Sequence, residues 1–299
     1  MMSKFKIGVA TLSLGFSIGM VEAKTQNDVE IKTEDLGHGI YVLFGGGGNI
    51  GVSVGEDGII MIDDQFAPLT PKIMAAVAEL SEGNVRFLIN THAHGDHTGG
   101  NENLGEMGAI IVSHDNLRTR LMDTPFRQPG MAEARPIKEV GLPVITFNDK
   151  MSFHLNGDNA RAHHVPNSHT DADSFIHFEG ANIIHMGDLM FNYLYPYIDV
   201  DSGGNVKGMI TGVRRALYMA NENTKIIPGH GPMASKKDLA VYLALLEYGK
   251  DTVQNLMAEG KSLSEILKME IVKDYDKVWS WNFINAERFV ISIYRSLEN

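Results

Sequence analysis

The chain of 299 residues is 43% apolar and 21% charged, which excludes wholesale disorder and suits one large α/β domain or two small ones. Its formal net charge of -11 argues against a nucleic-acid or anionic-membrane partner, because both reward a basic surface, and leaves a small-molecule substrate as the expected partner. There is no Cys, which excludes disulfides and thiolate ligands, so any bound metal must be held by imidazole and carboxylate.

Lys4 and Lys6 precede an apolar run from Ile7 to Val21, and Val21-Glu22-Ala23 has the form of a small-residue cleavage site. Residues 1–23 are expected to be a signal peptide cleaved after Ala23, placing the mature protein in the periplasm or outside the cell. The run is interrupted by Ser13, Ser17 and three glycines, and it falls short of the roughly 20 apolar residues of a membrane span. No stable membrane insertion is expected after cleavage, and residues 24–299 are expected to form a single domain.

Short apolar runs at Ile40–Phe44, Asn49–Val54 and Gly58–Ile62, separated by glycines and acids, predict a strand meander. Thr70-Pro71 starts a helix with Ile73, Met74, Val77 and Leu80 on one face. Arg86–Asn90 and Ala109–Ser113 read as strands and His114–Met122 as a helix, whereas the proline-punctuated residues 123–143 read as a long surface segment. A second meander follows at Met151–Leu155, Arg161–Val165, Ser174–Phe178 and Asn182–Met186. Val206, Met209, Ile210, Val213 and Leu217 recur at helical spacing, Lys225–Ile227 is a short strand, and a helical stripe runs from Leu239 to Leu256. Ser262 and Glu265 are spaced as a capping box. Two similar halves of strands flanked by helices predict sheets inside and helices outside.

The chemistry concentrates in Thr91-His92-Ala93-His94-Gly95-Asp96-His97-Thr98-Gly99-Gly100, directly after a predicted strand. His92 and His94 share a face while the chain stays extended; Gly95 then lets it turn, so that Asp96 and His97 aim at a second point nearby. Three imidazoles and a carboxylate in six residues are too polar for a core and match the ligands that zinc accepts.

This His-x-His-x-Asp-His motif resembles the hallmark of the metallo-β-lactamase superfamily. The resemblance implies three further ligands in order downstream, and His169 in Pro166–Asp171, Asp188 in His185–Asp188 and His230 in Pro228–Gly231 take those places. By the same resemblance His92, His94 and His169 hold one metal, Asp96, His97 and His230 hold the other, and Asp188 bridges them. The implied fold is a four-layer αββα sandwich with the metals at one edge of the two sheets. The implied cofactors are two divalent metal ions, zinc in the first place and iron as the alternative.

The implied chemistry is hydrolysis, in which a hydroxide generated at the metals opens the acyl C–N or C–O bond of a β-lactam, lactone or ester. Asp96 is then a ligand that also orients that hydroxide or carries its proton. No protein nucleophile competes: Ser113-His114-Asp115 are merely adjacent, and no Gly-x-Ser-x-Gly elbow occurs. Familiar β-lactamases with Cys at the bridging position often place Lys three residues later, whereas this chain has Asp188 and Phe191; the pattern is closer to glyoxalase II and lactonase relatives. An iron-dependent sulfur dioxygenase, a thioesterase and a non-catalytic metal-binding module are the alternatives. The run Gly45–Gly48 has the position of a hairpin that covers the site in related enzymes. Met190, Phe191, Tyr193, Tyr195 and Tyr197 are candidates for an apolar pocket wall or for the core. His163, His164 and His185 are weighed as supports of the ligands, and a strand position with one side exposed is the plainer expectation.

Overall fold

The computed structural model describes residues 28–298, so the signal-peptide reading of residues 1–23 lies outside it. Seven strands form one sheet in sequence order: β1 (Lys32–Gly37), β2 (Ile40–Phe44), β3 (Ile50–Gly55), β4 (Gly58–Ile62), β5 (Val85–Ile89), β6 (Ile110–His114) and β7 (Ile145–Phe147). The first four pair antiparallel, as their short turns require, and β4 to β7 pair parallel. A second sheet of six strands takes β8 (Lys150–Leu155), β9 (Asp158–His164), β10 (Ser174–Phe178), β11 (Ile183–His185), β12 (Lys225–Ile227) and β13 (Ala234–Ser235), again with consecutive strands as neighbours.

Alternation along the strands makes the layers. Ile60, Ile62, Ile89 and Val112 of the first sheet meet Phe153, Ile176, Phe178, Ile183 and Ile227 of the second in one buried cluster. Their sequence neighbours point the other way. Ile59, Met61, Leu88 and Ile111 pack with Ile73 and Val77 of α1 (Thr70–Ala78), and Leu104 of the short helix Asn101–Glu106 joins them. On the far side, Phe175, Ile184 and Ile226 pack against Val206, Met209 and Val213 of a helix over Val206–Met219, and against Leu239, Tyr242 and Leu246 of one over Lys236–Ala258. A helix over Ala286–Glu298 adds Phe289, Val290 and Ile293 to that layer. The order helix, sheet, sheet, helix is the expected αββα sandwich. No described helix is long and apolar enough to cross a membrane.

One expectation changes. Residues 123–143 are not simply surface: Phe126, Ile137 and Leu142 are buried against Leu117 and Leu121 of the helix Asp115–Asp123. The burial of these three apolar side chains anchors a segment whose prolines prevent regular structure. Of the strand pair, His163 is buried, with its ring stacked on Phe175 and its Nδ1 taking a hydrogen bond of 2.8 Å from Arg215, whereas His164 is half-buried.

The fold delivers four loops to one edge. His92 to His97 follow β5, His169 lies between β9 and β10, Asp188 follows β11 and His230 follows β12. Backbone bonds lock these loops to one another: Ser174 N–H donates to Thr91 O at 2.9 Å and Met186 N–H to Ile227 O at 2.8 Å.

Candidate metal centre

Each loop is fixed before any ligand is considered. Asp63 sits just past β4 with a positive φ of 63°, and its two oxygens accept from the Thr91 N–H and the Thr91 hydroxyl, both at 2.7 Å. The same carboxylate lies 2.8 Å from His97 Nδ1, which turns His97 Nε2 inward. His169 Nδ1 is held at 2.7 Å by Tyr197 O, and His94 Nε2 at 2.9 Å by Asp199 Oδ2. Such bonds fix which ring nitrogen faces a metal and sharpen its basicity.

The inward nitrogens converge. His92 Nε2 and His169 Nε2 lie 3.1 and 2.9 Å from His94 Nδ1, and His97 Nε2 lies 3.4 Å from His230 Nε2. The donor atoms form two compact sets, His92, His94, His169 and Asp188 in one, and Asp96, His97 and His230 in the other. Asp188 stands between them. Its Oδ2 is 3.4 Å from His169 Nε2 and 3.7 Å from His92 Nε2, whereas its Oδ1 is 3.1 Å from His97 Nε2 and 3.4 Å from His230 Nε2. All seven residues singled out in the sequence are brought together here.

The donor set fits cations. Asp188 Oδ1 is buried and faces only the His97 and His230 nitrogens, at 3.1 and 3.4 Å, so this carboxylate needs positive charge there, supplied by protons on those rings or by a cation in their place. A Cβ on Gly229 would overlap that same oxygen, so the chain leaves the space beside it clear. Burial works to raise the Asp96 and Asp188 carboxyls, but nearby imidazoles outweigh it, leaving Asp96 at about 2 and Asp188 well below the ordinary range. Burial, with help from the neighbouring His97, holds His92 well below the ordinary imidazole value, so its lone pair is free to bind. At His97 and His230 burial is overcome by the carboxylates, Asp188 first, which raise His97 well above the ordinary value and His230 to about 9. Those two rings hold protons that a metal must displace.

The exposed side of the cluster is formed by His94, Asp96 and His230, whereas His92, His97 and His169 are wholly buried. The glycine run connecting β2 and β3 is pinned rather than free. Gln65 accepts from Gly46 N–H at 3.1 Å and donates to Gly48 O at 2.8 Å, and Gly48 N–H donates to Asp96 O at 3.1 Å. A Cβ on Gly48 would overlap the His97 ring, which explains why a glycine stands there. His185 also serves the site: its Nδ1 accepts from Gly187 N–H at 3.2 Å and its Nε2 lies 3.0 Å from Asn49 O, tying the Asp188 turn to the end of the glycine run.

The match to known families agrees with this geometry, covering residues 43–230 with the description Metallo-beta-lactamase superfamily. The chain belongs to the metallo-β-lactamase superfamily. The "Lactamase-like protein aptB" of Emericella nidulans is 25% identical over 217 residues, 72% of this chain and 61% of its own length. The chain thus spans somewhat under two thirds of that relative. The "Probable metallo-hydrolase YqgX" of Bacillus subtilis is 27% identical over 154 residues, 48% of this chain and 68% of its own. Among solved structures, a metallo-β-lactamase from Pontibacter korlensis superposes with a TM-score of 0.61 at 15% identity, covering 73% of this chain and 99% of its own.

Within the superfamily frame, the aromatic candidates divide. Met190 and Tyr195 are core residues, and Tyr193 points away to bond Asp238. Phe191 stacks on His230 at 5.2 Å and Tyr197 on His94 at 5.8 Å. Sequence reasoning missed Asp63 and Asp199. Asp63-Asp64 at the end of an apolar strand is a usable signal for the first; nothing in the sequence marks the second.

Proposed function

We propose that this superfamily member is an exported hydrolase that binds two divalent metal ions, zinc or alternatively iron, and opens an acyl C–O or C–N bond in a small molecule. The observation that supports the reading best is Asp188, whose two oxygens face one donor set each. His92, His94 and His169 would hold one ion and Asp96, His97 and His230 the other, with Asp188 shared. Ions held there would supply an ionised water and polarise the acyl oxygen.

The chain's own residues account for the rest. Asp96 Oδ2 lies 3.3 Å from His230 Nε2 and on the exposed side, so as an ionised carboxylate it can orient a water or hydroxide at the mouth by accepting its hydrogen bond. Asp63 and Asp199 keep His97 and His94 from turning. Phe191, three residues after the shared acid, is buried against His230 and offers no charge to a substrate carboxylate. A neutral lactone or ester therefore suits the site better than a carboxylate-bearing β-lactam.

The test is hydrolysis of a panel of lactones, alkyl esters and a chromogenic β-lactam by the metal-loaded protein, with oxygen uptake followed in parallel. Chelator-sensitive turnover of at least one lactone or ester, without oxygen consumption, is expected. Oxygen consumption on a thiol substrate with no hydrolysis would point to the dioxygenase alternative instead.

A further inference from the structure

The segment from Ser280 to Asn285 links the helix Asp276–Trp279 to the helix Ala286–Glu298, far along the chain from residues 43–230. It nonetheless returns to the metal centre. Trp281 lies 5.8 Å from the His230 ring, and Phe283 packs edge-on to both Trp281 at 5.6 Å and Tyr197 at 5.1 Å. Tyr197 in turn stacks on His94. The three side chains make an aromatic arch from His230 of one donor set to His94 of the other. Its feet are fixed: Trp281 Nε1–H donates to Tyr195 O at 3.0 Å, and Trp281 N–H donates to Ile284 O at 3.0 Å.

At the crown, Phe283 is 48% exposed. Its ring thus presents apolar surface to solvent close to both donor sets, where a ligand can cover it. The glycine run cannot supply this contact, since it packs its bare backbone on Asp96 and His97.

We propose that the Tyr197–Phe283–Trp281 arch is the acyl-group subsite, and that it selects substrates carrying a flat aromatic or comparably broad apolar group next to the scissile carbonyl. The assignment rests on the hydrolase reading above, and Phe283 is its specificity-determining residue. Among the described residues the Phe283 ring packs on Trp281 and Tyr197 and on no donor residue, so its truncation tests recognition separately from metal binding.

The experiment compares phenylacetyl and acetyl esters of one alkyl leaving group on the metal-loaded chain, with wild type, F283A, F283W and, as a remote control, Y218A, whose ring is 91% exposed on another helix. In F283A the preference for the phenylacetyl ester falls roughly three- to ten-fold, the range of an aromatic pair contact, and the loss lies in KM rather than kcat. F283W restores the preference and Y218A keeps it. In parallel, binding of phenylacetohydroxamate and acetohydroxamate, read by Trp fluorescence, requires no turnover. The phenyl compound binds more tightly to wild type and loses that margin in F283A. An unchanged preference and an unchanged margin in F283A would overturn the subsite. Failure to hydrolyse either ester, with the binding margin intact, would instead remove the hydrolase reading and leave the arch standing as an aromatic binding site.

Discussion

Asp199 shows how one side chain can govern a ligand it does not share. Burial would raise its carboxyl, but the hydrogen bonds to His94 and to Ser202 N–H hold it far below the ordinary range, so it faces His94 as an anion. Replacing it by Asn keeps the size but removes the charge; replacing it by Ala frees the ring. Both variants are expected to bind metal about 10- to 100-fold more weakly, with Ala the worse, as outer carboxylate–imidazole pairs commonly do. Competition with a coloured chelator measures this, and unaltered affinity in D199A would show that His94 needs no such partner. Four of the seven donor residues were legible because they share one motif, and His169, Asp188 and His230 because they fall in the order that the resemblance implies. Asp63 and Asp199 were not, because a lone acid acquires its role only when the fold sets it beside a particular ring.

Among the elements, strands with strictly apolar faces were easy to read and polar edges were not. β4 is buried on both sides from Ile59 to Ile62, and β5 over Leu88 and Ile89, so their runs of Ile, Met, Leu and Phe stand out. β1, with the sequence KTEDLG, exposes four of its six residues as an edge strand, and its only fully buried side chain is Leu36. It carries no alternation to find. The segment 280–285 has no regular pattern either, and its importance lies in where two rings arrive. The glycine run reads as a loose cover in sequence, whereas the structure binds it to Gln65 and Asp96. This gives an expectation for Gly48→Ala. The added Cβ overlaps the His97 ring, so His97 or the hairpin must shift, and the second metal should be lost before the first. Graded chelation followed by metal analysis reads the order of loss; retention of both ions with wild-type order would contradict the close contact.

The molecule as a whole uses its two sheets to hold four distant loops at one edge. The sandwich follows from alternating apolar residues, and that much was readable. The cross-sheet ties that aim the donors, such as Ser174 to Thr91 and Asn49 to Pro228 O and Gly231 O, are visible only once the layers are stacked. They make the donor cluster a property of the assembled fold. Titrating zinc into the metal-free protein by calorimetry near pH 7, in buffers of different ionisation enthalpy, tests that property most directly. The sign follows from the imidazoles: metal needs an unprotonated nitrogen, whereas His230 at about 9 and the raised His97 hold protons at pH 7. Two ions per chain should bind with net proton release, and the release should shrink as the pH rises past about 9. Binding of no zinc, or of a single ion without proton release, would contradict a two-metal centre built on these seven residues.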